Sequence, residues 1–338
     1  MILITGATGL VGSYLLHSLL KKGEKVRALL YNQKSLERTR RIFTCLGSDP
    51  DELLRHVEWI EGDVLDMMSV HEAMKGIDNI YHCAAIVSFN PLDRDLMFKV
   101  NVDGTTNIVN AALAEGVNKL CHVSSIAALG RSDDSDTIDE NSEWRSSANN
   151  SRYSRTKYMA EREVWRASAE GLPVIIVNPS IILGYGHPEK GSTRMFRTIY
   201  KMSKFYGRGT NGFVDVRDVV DAMILLMESE IKNERFVVSA GNFTYREIFG
   251  LIADAFNKPK PKLAVPDLAL DIIWRFEAMR SQVTKDKPLI TRETVHTSKN
   301  RYLYSSEKLV KALDFKYRPI EETIATVCTL MKPELQKV

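Results

Sequence analysis

Three side chains in the middle of the chain have the types and spacing for acid–base chemistry on an oxygen atom. Tyr153 and Lys157 lie four residues apart in the stretch SRYSRTK, and Ser125 lies upstream in HVSSIAALG. On a helix, four-residue spacing places the phenol and the ammonium on one face. A nearby ammonium favours the phenolate and lowers the pKa of the tyrosine, while a serine hydroxyl can hold a carbonyl or hydroxyl oxygen against it. This set suits proton transfer coupled to hydride transfer.

A glycine-rich turn near residue 1 could hold the cofactor for that chemistry. Residues 2–12 read ILITGATGLVG, so Gly6, Gly9 and Gly12 come directly after an apolar run and open a helical pattern. In such a turn the first glycine permits the tight bend, the second lets a pyrophosphate approach, and the third lets the helix pack on the strand. The helix N-terminus adds free N–H groups for the phosphates. The predicted cofactor contacts here are Gly6, Thr8, Gly9, Leu10, Val11 and Gly12.

Alternating strand and helix patterns would bring these residues together. Short apolar runs that suit strands covered on both faces occupy 1–5, 25–30, 57–62, 79–85, 119–125, 173–179 and 235–241. Helical patterns cover 10–22, 101–116, 152–170 and 217–228. This alternation predicts an α/β fold with a Rossmann-type, doubly wound parallel sheet. Ligands of such sheets bind at the carboxyl ends of the strands, where Ser125 lies.

The regular alternation does not extend over the whole chain. We expect a dinucleotide-binding Rossmann domain at 1–178, to which 213–241 returns. The segments 179–212 and 242–338 are expected to form a smaller substrate lobe, interleaved with the first domain.

The end of the second predicted strand bears on the choice between NAD and NADP. An acidic residue there usually binds the ribose 2′-hydroxyl of NAD, but this chain has Tyr31 and Asn32. Lys34 and Arg38 follow and could meet a 2′-phosphate. NADP(H) is therefore favoured, with NAD(H) possible. After the third strand, Asp63 is expected at the adenine amino group and Val64 against the adenine ring.

Several motifs together resemble the extended branch of the short-chain dehydrogenase/reductase superfamily over about residues 1–240. They are TGATGLVG, HCAA, NVDGTTNIVNAA, VSS, YSRTK, VNPSIILG and FVDVRDVVDA. The resemblance implies Ser125, Tyr153 and Lys157 as the catalytic triad, with Tyr153 as acid or base and Lys157 also holding the nicotinamide ribose. Further cofactor contacts that it implies are Ala84, Ala85, Asn101, Pro179 and Ser180.

Within that branch the chain looks most similar to dihydroflavonol-4-reductase-like and 3β-hydroxysteroid-dehydrogenase-like proteins. An NAD(P)-dependent oxidoreductase acting on a carbonyl or secondary alcohol is therefore the leading hypothesis. An NAD-dependent sugar-nucleotide epimerase and a non-catalytic dinucleotide-sensing protein remain alternatives. Some epimerases also have an asparagine at the position of Asn178, before the proline, and there it touches the sugar-nucleotide phosphate. The substrate contacts proposed on position alone are Ser88, Phe89, Asn178, Tyr185 and Tyr206.

Composition excludes several other classes. The formal net charge is only +3, so the sequence does not have the excess of basic residues that is typical of nucleic-acid-binding proteins. No apolar run is long enough for a membrane span. Four separated cysteines without a C-x-x-C pair predict neither zinc nor disulfides. We expect a cytoplasmic protein without a signal peptide that acts on a small molecule. The resemblance also suggests a homodimer that forms through the helix of Tyr153. On the outer face of that helix, Tyr158, Val164 and Trp165 are the side chains expected to be buried in the dimer.

Overall fold

A seven-stranded parallel sheet forms the centre of the protein. The structure is a computed structural model that describes residues 1–130, 137–147, 150–188, 191–202, 204–266 and 298–336, with 269, 270, 272, 274–277, 280 and 295. The strands are β1 (Ile2–Thr5), β2 (Val26–Leu30), β3 (Val57–Glu61), β4 (Asn79–His82), β5 (Lys119–Val123), β6 (Thr137–Ile138), β7 (Val174–Pro179), β8 (Ile181–Leu183), β9 (Phe205–Tyr206), β10 (Thr210–Asp215), β11 (Glu234–Val238), β12 (Gly241–Thr244), β13 (Leu263–Ala264) and β14 (Leu303–Tyr304).

The order of the central sheet is β3-β2-β1-β4-β5-β7-β11, which confirms the predicted Rossmann-type fold. Its seven strands are the seven apolar runs of the sequence. The α-helices of the described part are α1 (Leu10–Lys21), α2 (Leu36–Cys45), α3 (Pro50–Leu54), α4 (Met67–Met74), α5 (Arg94–Phe98), α6 (Gly104–Ala114), α7 (Arg152–Ala169), α8 (Thr193–Tyr200), α9 (Val216–Glu228), α10 (Tyr245–Ala255), α11 (Glu307–Leu313) and α12 (Ile320–Leu335). A π-helical turn, Lys99–Asp103, joins α5 to α6.

Two apolar cores cover the two faces of the sheet. Alternate strand residues point to opposite faces, so Ile4 and Ile175 belong to one core while Leu3 and Ile176 belong to the other. The first core takes side chains from α1, α2, α8, α9, α10, α11 and α12. The second core takes them from α4, α6 and α7. Continuous apolar strands, rather than alternating ones, are the result of this double cover.

Smaller sheets lie outside the central one. Strand β10 pairs with β8 in parallel and with β12 in antiparallel orientation, β9 pairs with β13, and β6 pairs with β14. The segments assigned to a substrate lobe supply β8, β9, β12 and β13. However, helices α10 and α12 from the same segments share one apolar core with α1 of the nucleotide-binding half. The domain boundaries themselves stay a prediction.

The outer face of α7, the helix that carries Tyr153, does not have all the side chains predicted for a dimer contact. Val164 was placed on the outer face of α7, but it is fully buried in the second core of its own chain, so that assignment is wrong. The Tyr158 ring stacks on Trp144, with ring centroids 4.4 Å apart. Met159 is the apolar side chain of α7 that is exposed. In the described ranges, no helix has the length and apolar character to cross a membrane.

Candidate active site

Ser125 and Tyr153 come from two elements that meet at the carboxyl edge of the sheet. Ser125 follows β5 and caps the 3₁₀ turn Ile126–Ala128, because its hydroxyl accepts a hydrogen bond of 3.1 Å from the Ala127 N–H. Helix α7 starts at Arg152, where the Ser151 hydroxyl accepts from the Ser154 N–H. The helix packs on that 3₁₀ turn, which brings its first turn to the end of β5.

The Tyr153 phenol lies close to the Ser125 hydroxyl. Burial raises the pKa of Tyr153 above its ordinary value, and the Ser125 hydroxyl acts in the opposite direction by a smaller amount. The phenol is therefore protonated at neutral pH in the ligand-free protein. A protonated phenol held by a serine can donate a proton to an oxygen that is placed against both groups.

Lys157 lies one helical turn beyond Tyr153 and is almost completely buried, with 2% of its surface exposed. Its ammonium donates a hydrogen bond of 2.7 Å to the Val123 carbonyl at the end of β5. Burial lowers the pKa of Lys157 to about 8, while Glu161 and then Cys83 raise it. The sequence predicts that Lys157 lowers the pKa of Tyr153. In this structure Ser125 acts on the pKa of Tyr153 in that direction, and the Lys157 ammonium donates to the Val123 carbonyl.

A buried carboxylate that the sequence analysis missed lies behind these residues. Glu161 is one further turn along α7, and it accepts hydrogen bonds from the Ser124 hydroxyl (2.7 Å), the Asn178 amide (2.9 Å) and the Arg235 guanidinium (3.0 Å). The Asn178 amide also donates to the Ser125 carbonyl, over 3.0 Å. The signal in the sequence was an acidic residue four positions after Lys157, on the face that the tyrosine and lysine share.

A chain of buried hydrogen bonds connects the start of the sheet to the π-helical turn. Within it, His82 Nδ1 lies 2.6 Å from the Thr5 hydroxyl and Nε2 lies 3.0 Å from the Thr105 hydroxyl. Thr105 donates its own proton to the Asn101 carbonyl, so it must accept from the Nε2–H of His82. Burial lowers the pKa of His82 to about 3, and the ring is therefore neutral.

Asn101 itself shapes the segment after β4. Its side chain accepts from the Ile86 N–H at 2.7 Å and donates to the Ile86 carbonyl and the Thr156 hydroxyl, each at 3.0 Å. The Ala84 N–H donates to the Thr5 hydroxyl. Asn101 thus fixes the backbone at Ile86, and Thr5 fixes it at Ala84, which lies beside Gly6 of the glycine turn.

The glycine turn has the shape that a pyrophosphate needs. Gly6 has a φ of +68°, and a Cβ there would lie 2.6 Å from the Ala84 nitrogen. A Cβ at Gly12 would overlap the Gly6 carbonyl group. At Gly9 it would meet only the Gly6 oxygen, at 3.2 Å. The Gly9 N–H donates to the Gly6 carbonyl, and the first backbone hydrogen bond of α1 runs from the Ser13 N–H to the Gly9 carbonyl. The N–H groups of Leu10, Val11 and Gly12, in the first turn of α1, therefore have no partner within the helix. These features fit a dinucleotide at the start of α1.

The residues after β2, where the sequence predicts the adenosine ribose, include two cations. The Arg38 guanidinium donates to the Thr8 carbonyl over 3.3 Å, and its buried Nε has no partner among the described residues. Tyr31 and Lys34 are both exposed. Asp63 accepts from the Leu65 N–H at 3.0 Å and so caps its own turn, while Val64 is buried against Gly104.

Of the side chains suggested for the substrate, Phe89 lies at the Tyr153 phenol. The two rings meet edge to face with centroids 5.9 Å apart, and 37% of Phe89 remains exposed. Ser88 donates to Asp93 over 2.6 Å and accepts from the Asn90 N–H, so it organises the turn that carries Phe89.

The other suggested residues lie elsewhere. Asn178 is fully buried, so it supports Ser125 from behind rather than facing a ligand. The Tyr185 hydroxyl donates to Glu334 in a cavity of about 280 Å³ that Tyr14 and Cys45 also line. Tyr206 lies under the Arg246 guanidinium, 5.8 Å from it. Pro179 ends β7, and the hydroxyl of the next residue, Ser180, is buried with no partner among the described residues.

The chain is similar to known proteins over most of its length. The chain is 33% identical to sterol demethylase protein B of Methylococcus capsulatus over 78% of this chain and 77% of that protein. It is 28% identical to a putative dihydroflavonol 4-reductase of Synechocystis, covering 95% and 92% of the two chains. The crystal structure of gox2253 superposes with a TM-score of 0.80 at 27% identity, covering 99% of this chain and 98% of that one.

A protein-family model matches residues 2–239, which contain the glycine turn, the Ser125 turn and helix α7. Because the proteins of that family depend on NAD, and because this chain has the matching nucleotide-binding sheet, the protein is an oxidoreductase. The chain belongs to the NAD dependent epimerase/dehydratase family.

Proposed function

We propose that this enzyme transfers a hydride between NADP(H) and a carbonyl or secondary alcohol of a small substrate. In this proposal Tyr153 is the general acid in reduction and the base in oxidation. Ser125 holds the reacting oxygen, and Lys157 binds the nicotinamide ribose. The observation that carries the proposal is that helix α7 packs on the turn of Ser125 at the carboxyl edge of the sheet, which brings Tyr153 to Ser125, with Lys157 one turn away.

The protonation states support the reductive direction. The phenol of Tyr153 keeps its proton at neutral pH because burial raises its pKa. It can therefore deliver that proton as negative charge develops on the substrate oxygen. The Ser125 hydroxyl can donate a second hydrogen bond to the same oxygen. A bound nicotinamide supplies or accepts the hydride.

The surroundings of the cofactor site favour the 2′-phosphate. No carboxylate stands at Tyr31 or Asn32, directly after β2. Arg38 is already anchored to the Thr8 carbonyl of the glycine turn, so its guanidinium has little freedom left to lose when it binds a phosphate. The putative dihydroflavonol 4-reductase among the relatives supports a carbonyl substrate with an apolar body, which Phe89 could contact.

The buried state of Asn178 argues against the sugar-nucleotide alternative. In that alternative its amide would touch a diphosphate, but here the amide is used by Ser125 and Glu161. Its oxygen is buried without a partner among the described residues.

The test is the replacement Tyr153→Phe, assayed by NADPH oxidation with a panel of aliphatic and aromatic aldehydes and ketones that includes a dihydroflavonol. Loss of the general acid should lower kcat by roughly 10²- to 10⁴-fold. NADPH affinity, measured by fluorescence titration, should stay within about threefold, because the ring and its packing remain.

The matched control is Tyr158→Phe on the same helix. Its ring stacks on Trp144, and that stacking needs no hydroxyl, so full activity is expected. A Tyr153→Phe enzyme that keeps wild-type turnover would remove the basis of the catalytic assignment. A wild-type enzyme that binds NADPH but reduces nothing on the panel would argue against a carbonyl reductase.

A further inference from the structure

We propose that Glu161 is a positioning residue that holds Lys157 in its ammonium form and fastens the Ser124–Ser125 turn to helix α7. The inference rests on the roles proposed for Ser125 and Lys157, and it adds a residue that the catalytic motif does not contain. Tyr153, Lys157 and Glu161 follow one another at four-residue steps, so the three side chains lie along one face of α7.

Three hydrogen-bond donors from different parts of the sheet surround the Glu161 carboxylate. Glu161 is 2% exposed, and its two oxygens accept from three separate strands or strand ends. Ser124 follows β5, Asn178 lies in β7 and Arg235 lies in β11. Glu161 therefore connects α7 to three strand positions at once. A displacement of this carboxylate would move Ser125, because the Asn178 amide bridges Glu161 and the Ser125 carbonyl.

Glu161 also sets the charge around Lys157. The titratable groups that face the ammonium are Glu161 on its own helix, Cys83 after β4, His82 in β4 and His122 in β5. Burial lowers the pKa values of both histidines and raises the pKa of Cys83 to about 12, so these three groups are neutral at pH 7. Glu161 is the carboxylate in this set. Its negative charge opposes the burial that would otherwise deprotonate Lys157.

The experiment measures how the affinity for NADH depends on pH between 6 and 10, by fluorescence titration without substrate. NADH is the probe because it lacks a 2′-phosphate that would itself titrate. In the wild-type enzyme we expect affinity to fall as Lys157 loses its proton. In Glu161→Gln the midpoint of that fall should move to lower pH by roughly one unit. Lys157→Met should lack the transition, which identifies the titrating group.

Glu161→Gln leaves the half-buried Arg235 guanidinium without its charge partner and could unfold the protein. The double variant Glu161→Gln/Arg235→Gln removes both charges and should fold. Because it also removes the positive charge beside Glu161, its midpoint should move to lower pH by less than that of the single variant. Ser124→Ala deletes one hydrogen bond and keeps the carboxylate, so it should lower turnover without moving the midpoint. Glu163→Gln is the matched control, because that side chain pairs with Arg166 on the outer side of α7.

The outcomes separate this inference from the proposed function. A folded Glu161 variant, single or double, with an unchanged midpoint would overturn the electrostatic role of Glu161. A Ser124→Ala enzyme with wild-type turnover would overturn the positioning role. Neither result depends on the Tyr153→Phe assay, which tests the catalytic assignment by itself.

Discussion

Replacing Lys157 by Met should make the protein more stable at neutral pH while removing its activity. The lysine is 2% exposed, and burial holds its pKa at about 8, compared with 10.5 in the unfolded chain. At pH 7 the folded protein keeps a buried ammonium. That difference in pKa corresponds to a cost of roughly 3 kcal/mol in the free energy of unfolding. Methionine is unbranched like lysine and fills the same space without the charge.

Part of this gain is lost with the hydrogen bond to Val123. Leaving that carbonyl without its donor should cost about 1 kcal/mol, so the net stabilisation expected at pH 7 is about 2 kcal/mol. The unfolded lysine binds its proton up to a higher pH than the folded one. Stability of the wild type relative to Lys157→Met therefore rises between pH 8 and 10.5, and the advantage of the variant should be close to zero by about pH 10.

Urea unfolding of both proteins without cofactor, at pH 7 and at pH 10, measures this difference. Lys34→Met is the control, because that lysine is exposed and its replacement should change stability by at most about 0.5 kcal/mol at either pH. A Lys157→Met protein that is less stable than the wild type at pH 7 would refute the reasoning. So would a stability difference that is the same at both pH values.

Two further predictions concern the cofactor site. Arg38→Gln should lower kcat/KM for NADPH by roughly 10- to 100-fold and leave kcat/KM for NADH almost unchanged, because only NADPH has the 2′-phosphate. Equal losses for both cofactors would contradict this. Gly9→Ala should fold and lose NADPH affinity, because its methyl group meets only the Gly6 oxygen at 3.2 Å and otherwise occupies phosphate space, as titration and thermal melts would show. Gly12→Ala should instead show no folded state in the thermal melt, because its methyl group would lie 2.9 Å from the Ala7 Cα and overlap the Gly6 carbonyl.

The parts of the fold that could be predicted are those set by local pattern. Continuous apolar runs identified every strand of the central sheet, because both faces of that sheet are covered by helices. The meeting of Ser125 with Tyr153 also followed from the sequence. A strand end and the next helix of a doubly wound sheet have a fixed relation, and the four-residue spacing fixed the helix face.

The parts that could not be predicted depend on contacts between distant segments. Asn178 looked like a ligand contact, but its amide is turned inward by Glu161, which only the folded helix brings to it. Val164 looked like an outer residue because helical period alone does not tell which of two apolar faces meets the sheet. Tyr185 bonds Glu334 near the other end of the chain, and nothing close to either residue in sequence indicates that partner.

The apolar core shared by α1 and α12 determines how the chain can be divided in practice. The family match ends at residue 239, and an expression fragment cut there would contain the glycine turn, Ser125 and Tyr153. It would also expose the surface of α8, β8 and β10 that α12 contacts in the full chain, part of the apolar core that includes α1. Such a fragment should aggregate rather than bind nucleotide. The last turns of the protein are therefore as necessary for a usable cofactor site as the first eleven residues after Met1, although they touch none of it.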